Sequence, residues 1–273
     1  MLVQRPPTMM DPKLEFLELL EQEHSKCALP HRLKADTEEW VQGILSLCFP
    51  HLDVVGSKRL PHFSQEADRL DRELDGLLIS AGLAKTSLEA ITDAFWKALP
   101  TVRSTLVADA HAIDEFDPAS ESVDEVFLAY PGFYAMAVFR IAHVLYKLGV
   151  PLLPRIATEF AHRQTGIDIH PGATIGAPFV IDHGTGLVIG ETAVIGERVK
   201  VYQGVTIGAM AVKKRLAKTK RHPTVEDDVI IYANATLLGG ETIIGARSVI
   251  GGGMLVTSSV PPDTVMTHPK LKT

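Results

Sequence analysis

Between residues 167 and 256 an aliphatic side chain returns at a near-constant interval of six, and no other feature restricts the folding of this chain so tightly. The series runs Ile169, Ile175, Ile181, Ile189, Ile195, Val201 and Ile207, with one step of eight. After an interruption it resumes at Val225, Ile231, Leu237, Ile244, Ile250 and Val256, with one step of seven. A period of six fits neither an amphipathic helix nor an alternating strand; hexapeptide repeats are the mark of a parallel β-helix. Each hexad supplies a short strand and a corner, and three hexads close a triangular coil. The spacing predicts coils at 169/175/181, 189/195/201, 207/225/231 and 237/244/250, with Val256 opening a fifth. Fourteen of the 21 glycines lie in this stretch, as a structure made of corners requires. Handedness does not follow from the spacing.

This threading decides what shares a vertex. Asp168 precedes the first face of coil one, while Asp182 and His183 precede the same face of coil two. All three are expected on one edge. Adjacent strands lie about 4.8 Å apart, so Asp168 and His183 are expected in direct hydrogen-bond contact. Above them the edge carries mostly small residues, Ala233 and Gly252 among them, which suits an extended thiol-bearing arm. Between Ile207 and Val225 the step of six gives way to an excursion, Ala209 to Pro223, with Lys213, Lys214, Arg215, Lys218, Lys220 and Arg221. It leaves from a different vertex, so Arg221 and His222 are expected away from His183 within one chain. Side-by-side packing of three prisms would bring one chain's loop over the next chain's His183 edge. The loop's charge suits an anionic ligand bearing phosphates or a carboxylate.

Residues 12–166 read as an all-helical domain of seven or eight helices, residues 1–11 as a loose tail, 167–262 as the solenoid with its excursion at 209–223, and 263–273 as a short tail. The apolar residues between Asp11 and Ala28 mark one helix. Asp36 with Glu39, Thr86 with Glu89 and Ser122 with Glu125 have capping-box spacing, and prolines such as Pro100 are expected to divide the helices. The stripe Phe133, Ala137, Ile141, Val144 and Leu148 marks another helix ending at Gly149, on which Arg140 and His143 read as structural. No linker separates helices from repeats, so the two parts are expected to be rigidly joined. Net charge is −6 with a pI near 6.0, which argues against nucleic acid as a partner. No apolar run reaches membrane-spanning length and no leader is evident, so a cytoplasmic setting is expected. Cys27 and Cys48 show no metal-ligand spacing and read as half-buried thiols.

Several motifs occur in order: DPA at Asp117–Ala119, GF…A…FRIAH from Gly132 to His143, DIHPGATIG from Asp168 to Gly176, IDHGTGLVIGET from Ile181 to Thr192, and RHP at Arg221–Pro223. Together they resemble the serine acetyltransferases, over roughly Asp117 to Pro262. The resemblance implies an α+β chain, a helical domain followed by a left-handed parallel β-helix. It implies transfer of acetyl from acetyl-CoA to the hydroxyl of L-serine. By motif, His183 would be the general base and Asp168 its orienting partner. Asp117 and Asp182 would hold the substrate ammonium, Arg221 and His222 the carboxylate, and Glu191 another site position. The acetyl-CoA arm would pass Gly208, Ala209, Ala233 and Gly252. A homotrimer or dimer of trimers, inhibition by L-cysteine and no metal are implied as well. Deprotonation of a poor hydroxyl nucleophile suits an imidazole, and a zwitterionic acceptor needs both anionic and cationic groups.

The sequence departs from that pattern in places. Its excursion is longer than the family's and contains no glycine, Tyr232 and Asn234 replace small residues, and the chain ends in Thr273 rather than the isoleucine through which relatives dock O-acetylserine sulfhydrylase. That docking is therefore not expected. Three other readings stand beside this one. His170, His183 and His222 would serve a zinc lyase of the β-helix carbonic anhydrase kind, another acyltransferase would use a different acceptor, and an assembly scaffold would bind no acetyl-CoA.

Overall fold

A computed structural model describes residues 11–26, 30–52, 63–210 and 219–268. Among the described residues seven α-helices come first: α1 (Pro12–His24), α2 (Leu33–Cys48), α3 (Phe63–Ser80), α4 (Leu88–Phe116), α5 (Val123–Ala129), α6 (Pro131–Lys147) and α7 (Leu153–Thr165). Fourteen short strands follow among the described residues: β1 (Asp168–Ile169), β2 (Thr174–Ile175), β3 (Phe179–Ile181), β4 (Val188–Ile189), β5 (Val194–Ile195), β6 (Val199–Val201), β7 (Thr206–Gly208), β8 (Thr224–Val225), β9 (Ile230–Ile231), β10 (Thr236–Leu238), β11 (Ile243–Ile244), β12 (Val249–Ile250), β13 (Leu255–Val256) and β14 (Val265–Met266).

The strands stack as three parallel sheets, β1-β4-β7-β10-β13, β2-β5-β8-β11 and β3-β6-β9-β12-β14. Ile169 pairs with Ile189, Ile189 with Ile207, Ile207 with Leu237 and Leu237 with Val256, and the other two columns stack likewise. Every residue of the repeating aliphatic series is buried, each contributing on the order of 1.5–3 kcal/mol. The fifth coil closes. Val260 bridges to Ile244 and β14 pairs with β12, so the expected boundary at Pro262 falls inside the solenoid. Pro261 and Pro262 lie in the corner between Val260 and β14, where no ladder hydrogen bond is needed, so they do not end the solenoid.

The helical domain is built on α6, whose Phe133, Met136, Ala137, Val138, Ile141 and Leu145 are all buried. The stripe turns at Leu148, the C-cap, with Gly149 beyond it at φ 75°. Ser122 caps α5 by accepting from Glu125 N–H at 3.3 Å, as its spacing predicts. The other two capping boxes do not form. Helix α2 starts at Leu33, before Asp36, and Asp36 accepts from Arg32 Nε at 2.9 Å; Ser87 precedes α4 and makes no side-chain cap. Pro100 does not divide the chain but lies inside the 29-residue α4. Burial of Phe95, Leu99, Leu106, Ala110 and Ile113 along that helix outweighs a proline cost of about 3 kcal/mol. No side chain of α1 is buried, so its apolar residues do not form the core face their pattern predicts. Asp11, expected in the tail, caps α1 by accepting from Lys13 N–H. The rest of the expected tail (1–10), Cys27, most of the excursion (211–218) and Thr273 lie outside the described residues.

The two parts meet through buried polar contacts. Arg140 on α6 donates from Nε and Nη2 to both oxygens of Asp109 on α4, at 2.7 and 3.0 Å, and from its two terminal nitrogens to the carbonyls of Ile175 and Gly176, at 3.3 and 3.0 Å. Asp109 also accepts from Phe179 N–H at 2.9 Å. One ion pair thus ties two helices to the first coil, with its donors and acceptors satisfied. His143 makes a 2.8 Å hydrogen bond to the carbonyl of Pro171. Both residues have the structural role that the helical pattern predicts. Among the described residues no single helix is long and apolar enough to cross a membrane. Cys48 is free and half-buried, and burial pushes its thiol up to about 11.

Candidate functional site

Two clusters of polar side chains occupy two different vertices of the prism. The first sits between the β3-containing and β1-containing sheets. Asp182 and His183 follow β3, and helix α4 delivers Asp117 at its C-cap. His183 Nε2 lies 3.6 Å from Asp182 Oδ1, and the His183 side chain is 71% exposed. Burial raises the Asp182 carboxyl above its ordinary range, with His183 opposing and Asp117 reinforcing the shift. Asp117 is shifted the other way. Its Oδ2 accepts from the Tyr130 hydroxyl at 2.6 Å and its Oδ1 from Ala119 N–H at 2.9 Å, and these bonds hold it below the usual carboxylate range.

Gly132, two residues after Tyr130, makes this meeting possible. A Cβ there would lie 2.5 Å from the Ile181 carbonyl oxygen, so only a bare Cα lets α6 reach the backbone beside Asp182. His183 adopts φ 57°, but Arg198, Asp228, Asn234, Arg247 and Asp263 share that conformation. Positive φ is what these corners demand and does not single out His183.

The expected contact between Asp168 and His183 is absent. The two residues do flank the same vertex, yet His183 turns to Asp182, and Asp168 faces Arg155 Nη1 at 4.0 Å. Arg155 also pairs with Glu159. Correct coil threading placed the two backbones; the rotamer of an exposed imidazole and a competing arginine from α7 decide the contact. Glu159, His162 and Asp168 have ligand atoms within 4.8 Å of one another, but Arg155 already supplies a cation to both carboxylates.

Higher on this vertex, Ala233 and Gly252 are one rung apart, and a Cβ on Gly252 would lie 3.1 Å from the Ala233 carbonyl oxygen. The edge is not as bare as its small residues suggest. Tyr202 and Tyr232 stack with centroids 5.0 Å apart and planes at 16°, Phe116 meets Tyr202 edge-on, and Tyr232 is 42% exposed. Gly208 and Ala209 lie at the opposite end of the same sheet, on the second vertex. The four residues expected along the acetyl-CoA arm are therefore split between two vertices of one chain.

The second cluster sits where β4 and β7 leave the first sheet. Arg221 pairs with Glu191, and Tyr146 of α6 donates to Glu191 Oε1 at 3.0 Å. Burial pushes the Glu191 carboxyl up, but the hydrogen bonds from Arg221 and Tyr146 outweigh it and hold the group below its usual range. Thr192 organises the returning loop. Its Oγ1 accepts from Arg221 N–H at 2.9 Å and His222 N–H at 3.1 Å, and its carbonyl accepts from Lys220 Nζ at 2.7 Å. His222 Nδ1 accepts from Thr192 N–H at 3.0 Å, which places the ring proton on Nε2. Burial, then Arg221 and Lys220, depress the His222 imidazole to about 4. The ring is neutral at neutral pH, 7% exposed, and packed over Gly190. Charge at this cluster comes from Arg221, Lys220 and Glu191, with none from the imidazole. His170, whose spacing marks a turn, accepts from Gly172 N–H at Nδ1, 3.0 Å.

Arg221 and His222 thus stand on a different vertex from His183, as the excursion's point of departure predicts. Tyr130, Tyr146 and Thr192 escaped the sequence reading. Thr192 closes the IDHGTGLVIGET run and was legible there; the two tyrosines act through helix packing and carry no local signal.

A family model described as the N-terminal region of serine acetyltransferase matches residues 66–137. A plasmid-encoded serine acetyltransferase of Synechococcus elongatus is 50% identical over 187 residues, covering 67% of this chain and 58% of that protein. A serine acetyltransferase of Mycobacterium tuberculosis is 48% identical over 158 residues, 58% of this chain and 67% of that protein. Matches to the first three curated relatives span 58, 54 and 53% of their lengths, little more than half. Among solved structures, serine acetyltransferase 1 of Entamoeba histolytica in complex with L-cysteine aligns with a TM-score of 0.76 at 36% identity, over 83% of this chain and 85% of that one. The Neisseria gonorrhoeae serine acetyltransferase in complex with serine aligns with a TM-score of 0.60 at 29% identity, over 88% and 97%.

Proposed function

The chain belongs to the serine acetyltransferase family, and from that membership we propose that it transfers the acetyl group of acetyl-CoA to the hydroxyl of L-serine, giving O-acetyl-L-serine and CoA. One observation carries the reading. An imidazole and two carboxylates with oppositely shifted proton affinities converge at one vertex, the arrangement a hydroxyl nucleophile bearing an ammonium group requires.

In the proposed reaction His183 removes the serine hydroxyl proton as the oxygen attacks the thioester carbonyl. The tetrahedral intermediate then collapses, the carbon–sulfur bond breaks, and the imidazolium returns the proton to the leaving thiolate. Asp117 and Asp182 bind the ammonium group. Exposure of the His183 side chain leaves it free to turn toward Asp168, which would then orient the ring and stabilise its cation. Arg221, held by Glu191, meets the carboxylate, and His222 anchors that segment and offers Nε2–H. Because these groups occupy separate vertices, a complete site needs the loop of a neighbouring subunit, in a homotrimer or dimer of trimers. The acetyl-CoA arm runs along the Ala233–Gly252 edge of one subunit, with Gly208 and Ala209 facing it from the next. L-Cysteine, a serine isostere at the same polar groups, would inhibit. The setting is cytoplasmic and the reaction uses no metal.

A thiol-release assay with acetyl-CoA tests the reading by comparing L-serine with homoserine, threonine and water. Release stimulated by serine above the others supports it. Equal release with water, or loss of turnover on chelation, would show that the chemistry is of another kind.

A further inference from the structure

Three helix ends meet over the His183 vertex: the end of α4 at Asp117, the end of α5 at Tyr130 and the start of α6 at the same residue. Helices α5 and α6 are bent by 75° at this junction. The bend aims the Tyr130 side chain back at Asp117, 13 residues earlier, and the hydroxyl donates to Asp117 Oδ2 at 2.6 Å. Ala119 N–H takes the other carboxylate oxygen. With a bond at each oxygen, the plane of the Asp117 carboxylate is set, and free lone pairs remain for a ligand. The bare Gly132 then lowers this assembly onto Ile181, one residue before Asp182.

We propose that Tyr130 is a positioning residue, whose hydroxyl holds the Asp117 carboxylate in the orientation in which it and Asp182 close on the ammonium group of the acceptor. This rests on the reading of the vertex as an amino-acid site. Two neighbouring carboxylates otherwise compete for one proton. Tyr130 resolves the competition by favouring the ionised form of Asp117, while burial pushes Asp182 the opposite way. The Tyr130 hydroxyl is itself pushed up to about 12 by Asp117, so it remains a donor across the working pH range. Other charged or titratable groups around the pair are His183 at the corner, Tyr202 on the next rung, and Glu125 on α5. Tyr130 never touches the reacting atoms in this scheme.

The test is Tyr130→Phe, which removes one oxygen and keeps the ring. Loss of a hydrogen bond to a charged group should raise KM for L-serine by about tenfold or more, with KM for acetyl-CoA unchanged. The acid limb of kcat/KM for serine should move to higher pH, because Asp117 now takes up its proton more readily. In an Asp117→Asn background the same substitution should add little, since the partner it acts through is gone. Carbon-detected NMR titration of Asp117 supplies a readout that needs no turnover. In the unmutated protein its carboxyl should titrate below the ordinary aspartate range, and in Tyr130→Phe it should move up toward that range, with the Ala119 N–H bond still in place. An ordinary Asp117 titration in the unmutated protein, or equal KM changes for both substrates, would overturn the proposal. A correct titration in a protein that does not acetylate serine would instead refute the assigned reaction and leave the Tyr130–Asp117 coupling standing.

Discussion

Adding one methyl group at Gly190 should detach the segment that carries Arg221. The ring of His222 lies so close over Gly190 that a Cβ there would overlap Nε2 and Cδ2 and sit 2.7 Å from Cε1. The ring is held from its other side by Thr192, through N–H at 3.0 Å and Oγ1 at 2.8 Å, so it cannot yield without breaking those bonds. If the ring stays in place it keeps both bonds, and Gly190→Ala costs the overpacking alone, about 1–3 kcal/mol. If the ring swings out, the overlap is relieved and two hydrogen bonds at about 1 kcal/mol each are lost, about 2 kcal/mol together. Backbone strain contributes nothing, because φ at Gly190 is not in the left-handed region. His222→Ala alone loses the same two bonds. In that background Gly190→Ala should cost almost nothing, and reduced unfolded-chain entropy could make it slightly stabilising. A double-mutant cycle by urea denaturation should therefore show a coupling of about 2 kcal/mol. Serine KM should rise in both single variants, because Arg221 follows His222. Additive effects across the cycle would refute this account of the ring and the glycine as one packed unit.

Three further outcomes follow from the same geometry. His183→Ala should lower turnover by about 10²–10⁴-fold with an unchanged circular dichroism spectrum and melting temperature, since an exposed side chain contributes little packing. The His222 imidazole titrates near 4 when folded against about 6.5 in the unfolded chain. Below about pH 6.5 the unfolded chain binds the extra proton, so stability present above that pH should decline as pH falls toward 4 and then level off; hydrogen exchange at residues 219–223 reads it, and a flat profile there would contradict it. Asp109→Asn leaves the buried Arg140 guanidinium without its counter-charge and should cost about 3–5 kcal/mol, whereas Asp36→Asn, on an exposed ion pair, should change stability by no more than about 1 kcal/mol; calorimetry on both variants distinguishes them.

The solenoid was legible because its information is one-dimensional. Each inward residue pairs with the one a coil away, so counting hexads from Ile169 gives every partner through Ile250, and an excursion of unknown shape does not disturb the count. Helix ends were less legible. Asp36 and Thr86 carry the spacing of caps, but burial of Leu33 and Leu88 sets where α2 and α4 begin, and packing along α4 carries Pro100 through a helix it would otherwise interrupt.

For the site, sequence alone determined that Asp168 shares a vertex with Asp182 and His183 and that Arg221 and His222 stand on another; the structure adds Glu191 to that second vertex. Coil periodicity assigns backbone position, and positions are all it assigns. Contacts among these residues were decided by the tertiary structure. Arg155 from α7 draws Asp168, Asp182 takes the imidazole of His183, and Tyr130 and Tyr146 reach Asp117 and Glu191 from helices far away in sequence. Hydrogen-bond partners depend on side-chain direction and on what neighbouring helices bring within about 3 Å, and the packing of α4, α6 and α7 against the first coils settles both.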